Sequence, residues 1–124
     1  MSYDLMVFDP AVAPQSREAF MVWYGAQTKW AEAHNYKDHA VTGSSLKSWF
    51  LDMIQRYPPM NGPLASDEID DYRVTDYSIG KHMIYCGFSW DAADSGHKMA
   101  RELAVKHGVG FFDVSANNGE ILFP

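Results

Sequence analysis

An α+β sandwich, with a mostly antiparallel sheet and its helices on one face, is the fold class that the sequence predicts from three observations. Apolar runs of strand length alternate with apolar residues at helical spacing, in the order β-α-α-β-β-α-β-β. With the second helix set aside as an insertion and the last strand as an extension, the order reduces to β-α-β-β-α-β, the ferredoxin-like unit. The 124 residues, 47% hydrophobic and 15% aromatic, suffice for one core without disulfide or metal staples. A single domain over residues 1–124 is therefore expected.

The first strand runs from Tyr3 to Asp9, an apolar stretch that stops where Pro10 removes a donor, and it is expected to be central. Between Pro14 and Ala33 the residues Ala19, Phe20, Trp23, Ala26 and Trp30 recur at helical spacing, with Ser16 and Glu18 placed to cap the start. Thr42 to Ser45 signal a second helix. There Leu46, Trp49, Phe50, Met53, Ile54 and Tyr57 form a broad apolar face, ended by Pro58-Pro59. Two β-rich runs follow, Tyr72 to Ile79 and His82 to Ser89, joined by Gly80-Lys81 in an expected type II′ turn. The second run is apolar on both alternating faces, as a sheet-interior strand requires. Ser89 or Asp91 is placed to cap a third helix through Ala93, Ala100, Leu103, Ala104 and His107, and Gly108 offers its stop. The last two strands, Gly110 to Ser115 and Glu120 to Phe123, flank Asn117-Asn118-Gly119, an expected type I′ turn.

Sixteen acidic against ten basic residues leave a net charge of −6, which argues against nucleic acid as a partner and for a basic one. The single Cys86 allows no internal disulfide and fits a reducing compartment. Residues 1–8 carry Asp4, lack a basic segment and are too short in apolar run for a signal peptide or membrane span, so a cytoplasmic location with no membrane contact is expected.

No phosphate loop, nucleophile elbow or zinc-type cysteine pattern occurs, so no catalytic residue, metal or cofactor is expected. The connector from Ala33 to His39 gathers His34, Tyr36, Asp38 and His39, a mixture able to bind a ligand or move protons, to which His82 is added. His82 and Cys86 stand four apart on one expected strand, about 13 Å between Cα atoms, too far to act as a nucleophile pair. His97 and His107 are about 15 Å apart along one helix and cannot share an ion. The strongest local feature is acidic. Asp67, Glu68, Asp70, Asp71 and Asp76, offset by Arg73, hold −4 of the chain's −6 and are interleaved with Ile69, Tyr72 and Tyr77. Such a surface suits the basic cleft of a partner that itself binds phosphate.

Several stretches carry a resemblance that spans most of the chain. They are Met1-Ser2-Tyr3-Asp4-Leu5-Met6-Val7-Phe8, Trp30-Ala31-Glu32-Ala33-His34-Asn35-Tyr36, Tyr57-Pro58-Pro59-Met60-Asn61-Gly62-Pro63 and Asp76-Tyr77-Ser78-Ile79-Gly80. To these belong the ending Leu103 to Asp113 and Gly119-Glu120-Ile121. In them the chain resembles a family of small bacterial proteins that includes immunity proteins of polymorphic or type VI secreted toxins. The resemblance implies a non-enzymatic cytoplasmic binding protein that neutralises a cognate toxin domain by covering its active site. An alternative is a small dimeric enzyme or ligand-binding protein, similar in architecture to ferredoxin-like monooxygenases. Its sheets would pair face to face, and His34, Tyr36, His39 and His82 would supply the polar groups of a pocket between sheet and helices. A homodimeric structural subunit is a third expectation.

Overall fold

The computed structural model describes residues 2–68 and 70–124. It is an α+β fold with one open, fully antiparallel five-stranded sheet and three α-helices. The strands are β1 (Tyr3–Phe8), β2 (Asp76–Ile79), β3 (Met83–Phe88), β4 (Gly110–Phe112) and β5 (Ile121–Leu122), in the order β2-β3-β1-β4-β5. The helices are α1 (Arg17–Gln27), α2 (Ser44–Met53) and α3 (Ala93–His107). Two 3-10 turns, His39–Val41 and Trp90–Ala92, precede α2 and α3.

Strand β1 occupies the centre, as expected, and is paired with β3 along its whole length and with β4 over its second half. Its side chains alternate between two dry faces. Leu5 and Val7 lie beside Cys86 and Ile84 under α2 and α3, with Trp49, Phe50, Met53, Phe88 and Phe111. Met6 and Phe8 point the other way and join Met83, Phe112 and Phe20 of α1.

The helices therefore lie on both faces of the sheet, which corrects the one-sided arrangement expected from the sequence. The cause is visible in the strands: a central sheet that is apolar on both sides must be covered on both. The insertion is also reassigned. Helix α2, set aside in the sequence reading, packs beside α3, whereas α1 stands alone on the opposite face.

Small residues set how closely α3 approaches the sheet. Gly96, Ala100 and Ala104 are buried at four-residue spacing, and a Cβ on Gly96 would meet the Phe88 ring at 2.7 Å. Helix α2 is joined to α3 by the Trp49 indole N–H, which donates to the Ala100 carbonyl at 3.0 Å, and by Asp52, 2.7 Å from His107 Nε2. The Asp52 carboxyl is held below its usual range by hydrogen bonds from His107 and Lys106.

Boundaries and turns differ from expectation in ways that local contacts explain. Helix α1 ends six residues early because Trp30 adopts a positive φ of 54°. Strand β2 begins at Asp76, since Asp71 to Val74 form a turn closed by the Val74 N–H on the Asp71 carbonyl. The type II′ turn at Gly80 is not formed, because Gly80 has no positive φ. Its surroundings are tight: a Cβ would lie 3.0 Å from Glu32 Oε2 and 3.2 Å from the Met83 sulfur, so both side-chain ends would have to give way. Nor is the turn after β4 of type I′. Only Asn118 has positive φ, and Gly119 is required by its backbone's approach to the Asp113 carbonyl. Neither Ser89 nor Asp91 caps α3; the Ser89 hydroxyl donates to the Tyr72 carbonyl instead. Ser16 does cap α1, and Gly108 ends α3 in the left-handed conformation at φ 68°.

Candidate interaction surface

The acidic segment is exposed but anchored. Its base is a short bridge in which Met60 N–H donates to the Thr75 carbonyl and Thr75 N–H donates to the Pro58 carbonyl, both at 2.9 Å. Pro59 and Thr75 are buried at that bridge, and the Ser66 N–H closes the loop onto the Pro59 carbonyl. Gly62, with φ 89°, lets the far side of the loop lie against the Lys37 carbonyl. The loop is therefore held to the sheet edge and to the connector before α2, while its acidic portion faces solvent.

Asp67, Glu68, Asp70 and Asp76 are exposed, and none makes an ion pair among the described residues. Asp71 is different. It takes a two-pronged contact from Arg73, at 2.9 and 3.2 Å, and the Arg73 hydrogen bonds hold its carboxyl at about 2. Its charge is thereby locally balanced. Tyr72 is 53% exposed, and Met60 and Trp90 are similarly open at 50% and 55%. The Ser89 hydroxyl on the Tyr72 carbonyl ties the acidic loop to the end of β3, beside Trp90, whose ring packs edge-on against Tyr3. Tyr77 does not belong to this surface. It is 4% exposed in the core, edge-on to Phe50, and its hydroxyl donates to the Tyr57 carbonyl at 2.7 Å. Ile69 lies outside the described residues.

Next to the loop is a cleft of about 270 Å³ lined by Ser2, Met60, Val74, Asp76, Gly87 and Ser89. Gly87 leaves bare backbone between two carboxylates, since it is registered with Asp76 on one side and Asp4 on the other. Asp4 accepts from the Ser2 hydroxyl at 2.5 Å and from the Tyr85 hydroxyl at 2.6 Å. Burial, and then the bond to Asp4, push the Tyr85 phenol well up, so it stays a hydrogen-bond donor.

The second set of expected site residues is only partly brought together. His34 and Tyr36 meet at Glu32, a residue the sequence reading did not single out. The Glu32 carboxylate accepts from His34 Nε2 at 2.7 Å and from the Lys81 N–H at 2.9 Å, and the Glu32 N–H donates to the Tyr36 hydroxyl at 2.7 Å. Tyr36 N–H donates to His34 Nδ1, so both imidazole nitrogens are engaged and neither is free for proton transfer. His82 adjoins this group and lowers the Glu32 carboxyl electrostatically. His39 does not join it, being stacked on Phe50 at 5.4 Å. The arrangement is a clasp that pins the 32–36 connector to the β2–β3 turn, reinforced by the Ile79 N–H on the Tyr36 carbonyl.

Burial acts to raise the Glu32 carboxyl, but the bonds from His34 and Lys81 outweigh it and hold it below the usual range. A carboxyl so depressed adds stability that is complete above its unfolded value and is lost as pH falls through the folded one, so the clasp loosens only in acid, below the range where an unperturbed glutamate titrates. Glu32→Ala is expected to remove about 1–3 kcal/mol of local protection, because it strips the acceptor from two donors. Amide hydrogen exchange at Lys81 and Ile79, faster in the variant at neutral pH and unchanged in β1, checks this.

Two other polar groups stand apart from this clasp. Asp113, 9% exposed, accepts from the Tyr3 hydroxyl at 2.5 Å and lies 3.3 Å from His97 Nε2. His97 is otherwise edge-on to the Tyr3 and Phe111 rings, and no nucleophile is hydrogen-bonded to it among the described residues. Cys86 is fully buried on the α2–α3 face, where burial pushes its thiol well up and makes it a packing residue. Among the described residues no group of three His, Cys, Asp or Glu could hold a metal ion, and no helix is long and apolar enough to cross a membrane. Comparison with protein-family models, with characterised proteins and with solved structures finds no match.

Proposed function

We propose that the chain is a non-enzymatic cytoplasmic binding protein of the immunity type, which neutralises a cognate toxin domain by laying its acidic loop over a basic active-site cleft. The observation that carries this reading is the coincidence, on a loop anchored at its base, of three exposed carboxylates that make no ion pair among the described residues, Asp67, Glu68 and Asp70, with the open side chains Met60 and Tyr72 and, beside the loop after β3, Trp90. Aromatic anchors beside a charged rim are how protein contacts concentrate affinity, and opposed potentials speed the encounter. A ferredoxin-like scaffold belongs to the same proposal. The order β4-β1-β3-β2 with α2 and α3 on one face supports it, α1 and β5 being additions.

The alternative of a monooxygenase-like enzyme with sheets paired face to face draws less support. That pairing needs a bare sheet face, and Phe20 and Trp23 of α1 pack on Phe8 there. The histidine best placed for chemistry, His34, has both nitrogens engaged. The test is to mix the purified chain with the toxin domain encoded beside it. Co-elution and loss of toxin activity are expected; neither being seen would overturn the proposal.

A further inference from the structure

Helix α1 buries one side and exposes an apolar other. Phe20 is fully buried and Trp23, Tyr24 and Gln27 are half-buried against the sheet, whereas Ala19, Val22, Gly25 and Ala26 face solvent. Val22, 74% exposed, is the most open of the exposed large apolar residues, and Met21 flanks it at 40%. At 100° per residue Glu18, Val22 and Gly25 fall along one line, on the side opposite Phe20 and Tyr24. Lys29 follows the helix in a turn in which its N–H donates to the Ala26 carbonyl. Glu18 and Lys29 are both exposed, and neither is ion-paired among the described residues.

Gly25 adds an independent observation. A glycine in a helix interior costs about 1 kcal/mol relative to alanine. Nothing inside the chain requires it: Gly25 has no positive φ, and a Cβ there would meet nothing within 4 Å. This contrasts with Gly96, whose absent Cβ makes room for Phe88. A bare backbone spot beside the most exposed valine is what a close external contact would use.

We infer that α1 is the contact of a two-fold homodimer, in which two copies of the helix cross antiparallel with Val22 of each seated on Gly25 of the other. The occupant is set by charge. Glu18 stands at one end of the helix and Lys29 just beyond the other, so an antiparallel second copy pairs each glutamate with the second copy's lysine, whereas a parallel copy would oppose like charges. About the midpoint between Val22 and Gly25 the two-fold brings Met21 onto the second copy's Ala26 and leaves no buried charge unpaired. One helix face offers less than the ~800 Å² per partner of a standard interface, so the dimer is a weak, reversible one.

Sedimentation velocity over a dilution series from about 1 mM to 1 µM tests this. The native chain is expected to pass from dimer to monomer across the series. Val22→Glu should hold it monomeric throughout with an unchanged melting temperature, since Val22 is mostly exposed. Glu18→Lys and Lys29→Glu should each weaken the dimer about tenfold, and the double reversal should restore it. A native chain that is monomeric throughout, a dimer that survives Val22→Glu, or a double reversal that fails to restore association would each overturn the inference.

Discussion

Replacing Trp49 with alanine should lower the stability of the folded chain by about 3–5 kcal/mol, a large part of what a domain of this size has. Trp49 is fully buried between α2, α3 and the sheet, edge-on to Tyr77, and its indole N–H satisfies the Ala100 carbonyl. Removal leaves a cavity that flanking helices can fill only in part, and α2 loses one of its hydrogen-bonded ties to α3. Urea unfolding followed by tyrosine and tryptophan fluorescence measures it, with a lower midpoint and an unchanged slope as the expected result. Trp90→Ala is the matched control. That residue is 55% exposed, so its removal should change stability by no more than about 0.5 kcal/mol. Equal losses from the two substitutions would contradict the placement of the core.

The second large effect concerns partner binding. Tyr72→Ala with Trp90→Ala should weaken capture of the toxin domain by about 100-fold, as truncating two aromatic anchors does when each is worth about 1.4 kcal/mol. Neutralising Asp67, Glu68 and Asp70 together should act on a different quantity. It should slow association about tenfold at low salt and flatten the salt dependence, while the dissociation rate changes little. Asp71 is left out of that set because Arg73 already balances it, and Tyr77 is left out because it belongs to the core. Tyr77→Phe should instead reduce stability through loss of the bond to the Tyr57 carbonyl, without altering association.

Much of the fold was legible because hydrophobic periodicity carries it. The apolar faces of β1, β3, α2 and α3 are written as alternation and as i, i+3, i+4 spacing, and Gly108 marks the end of α3. The side taken by α1 was less plain. Periodicity tells that a helix has an apolar face, not which layer it covers; the clue was β3, whose both faces are apolar and so need two layers. The turn types failed for a related reason. Gly119 backs onto the Asp113 carbonyl within its own loop, and Gly80 lies against the side-chain ends of Glu32 and Met83, contacts that no two-residue turn rule contains.

The candidate surface was read in outline and mistaken in detail. A charge run identifies exposed carboxylates, yet it does not tell that Asp71 is balanced two residues away by Arg73. Tyr72 and Tyr77, both on the expected strand, diverge because the strand begins only at Asp76. The connector histidines promised chemistry by composition. Their partner, Glu32, lies at the edge of the cluster and engages Lys81 from forty-nine residues away, so the structural clasp was hidden in long-range contacts.

Inhibition of the cognate toxin domain, titrated in parallel with the native chain and with the Tyr72→Ala, Trp90→Ala double variant while melting temperatures are recorded for both, tests the acidic loop's role most directly. The native chain is expected to abolish toxin activity near equal stoichiometry, and the variant, equally stable, to need about 100-fold more. Equal inhibition by the two proteins, or none by the native chain, would contradict it.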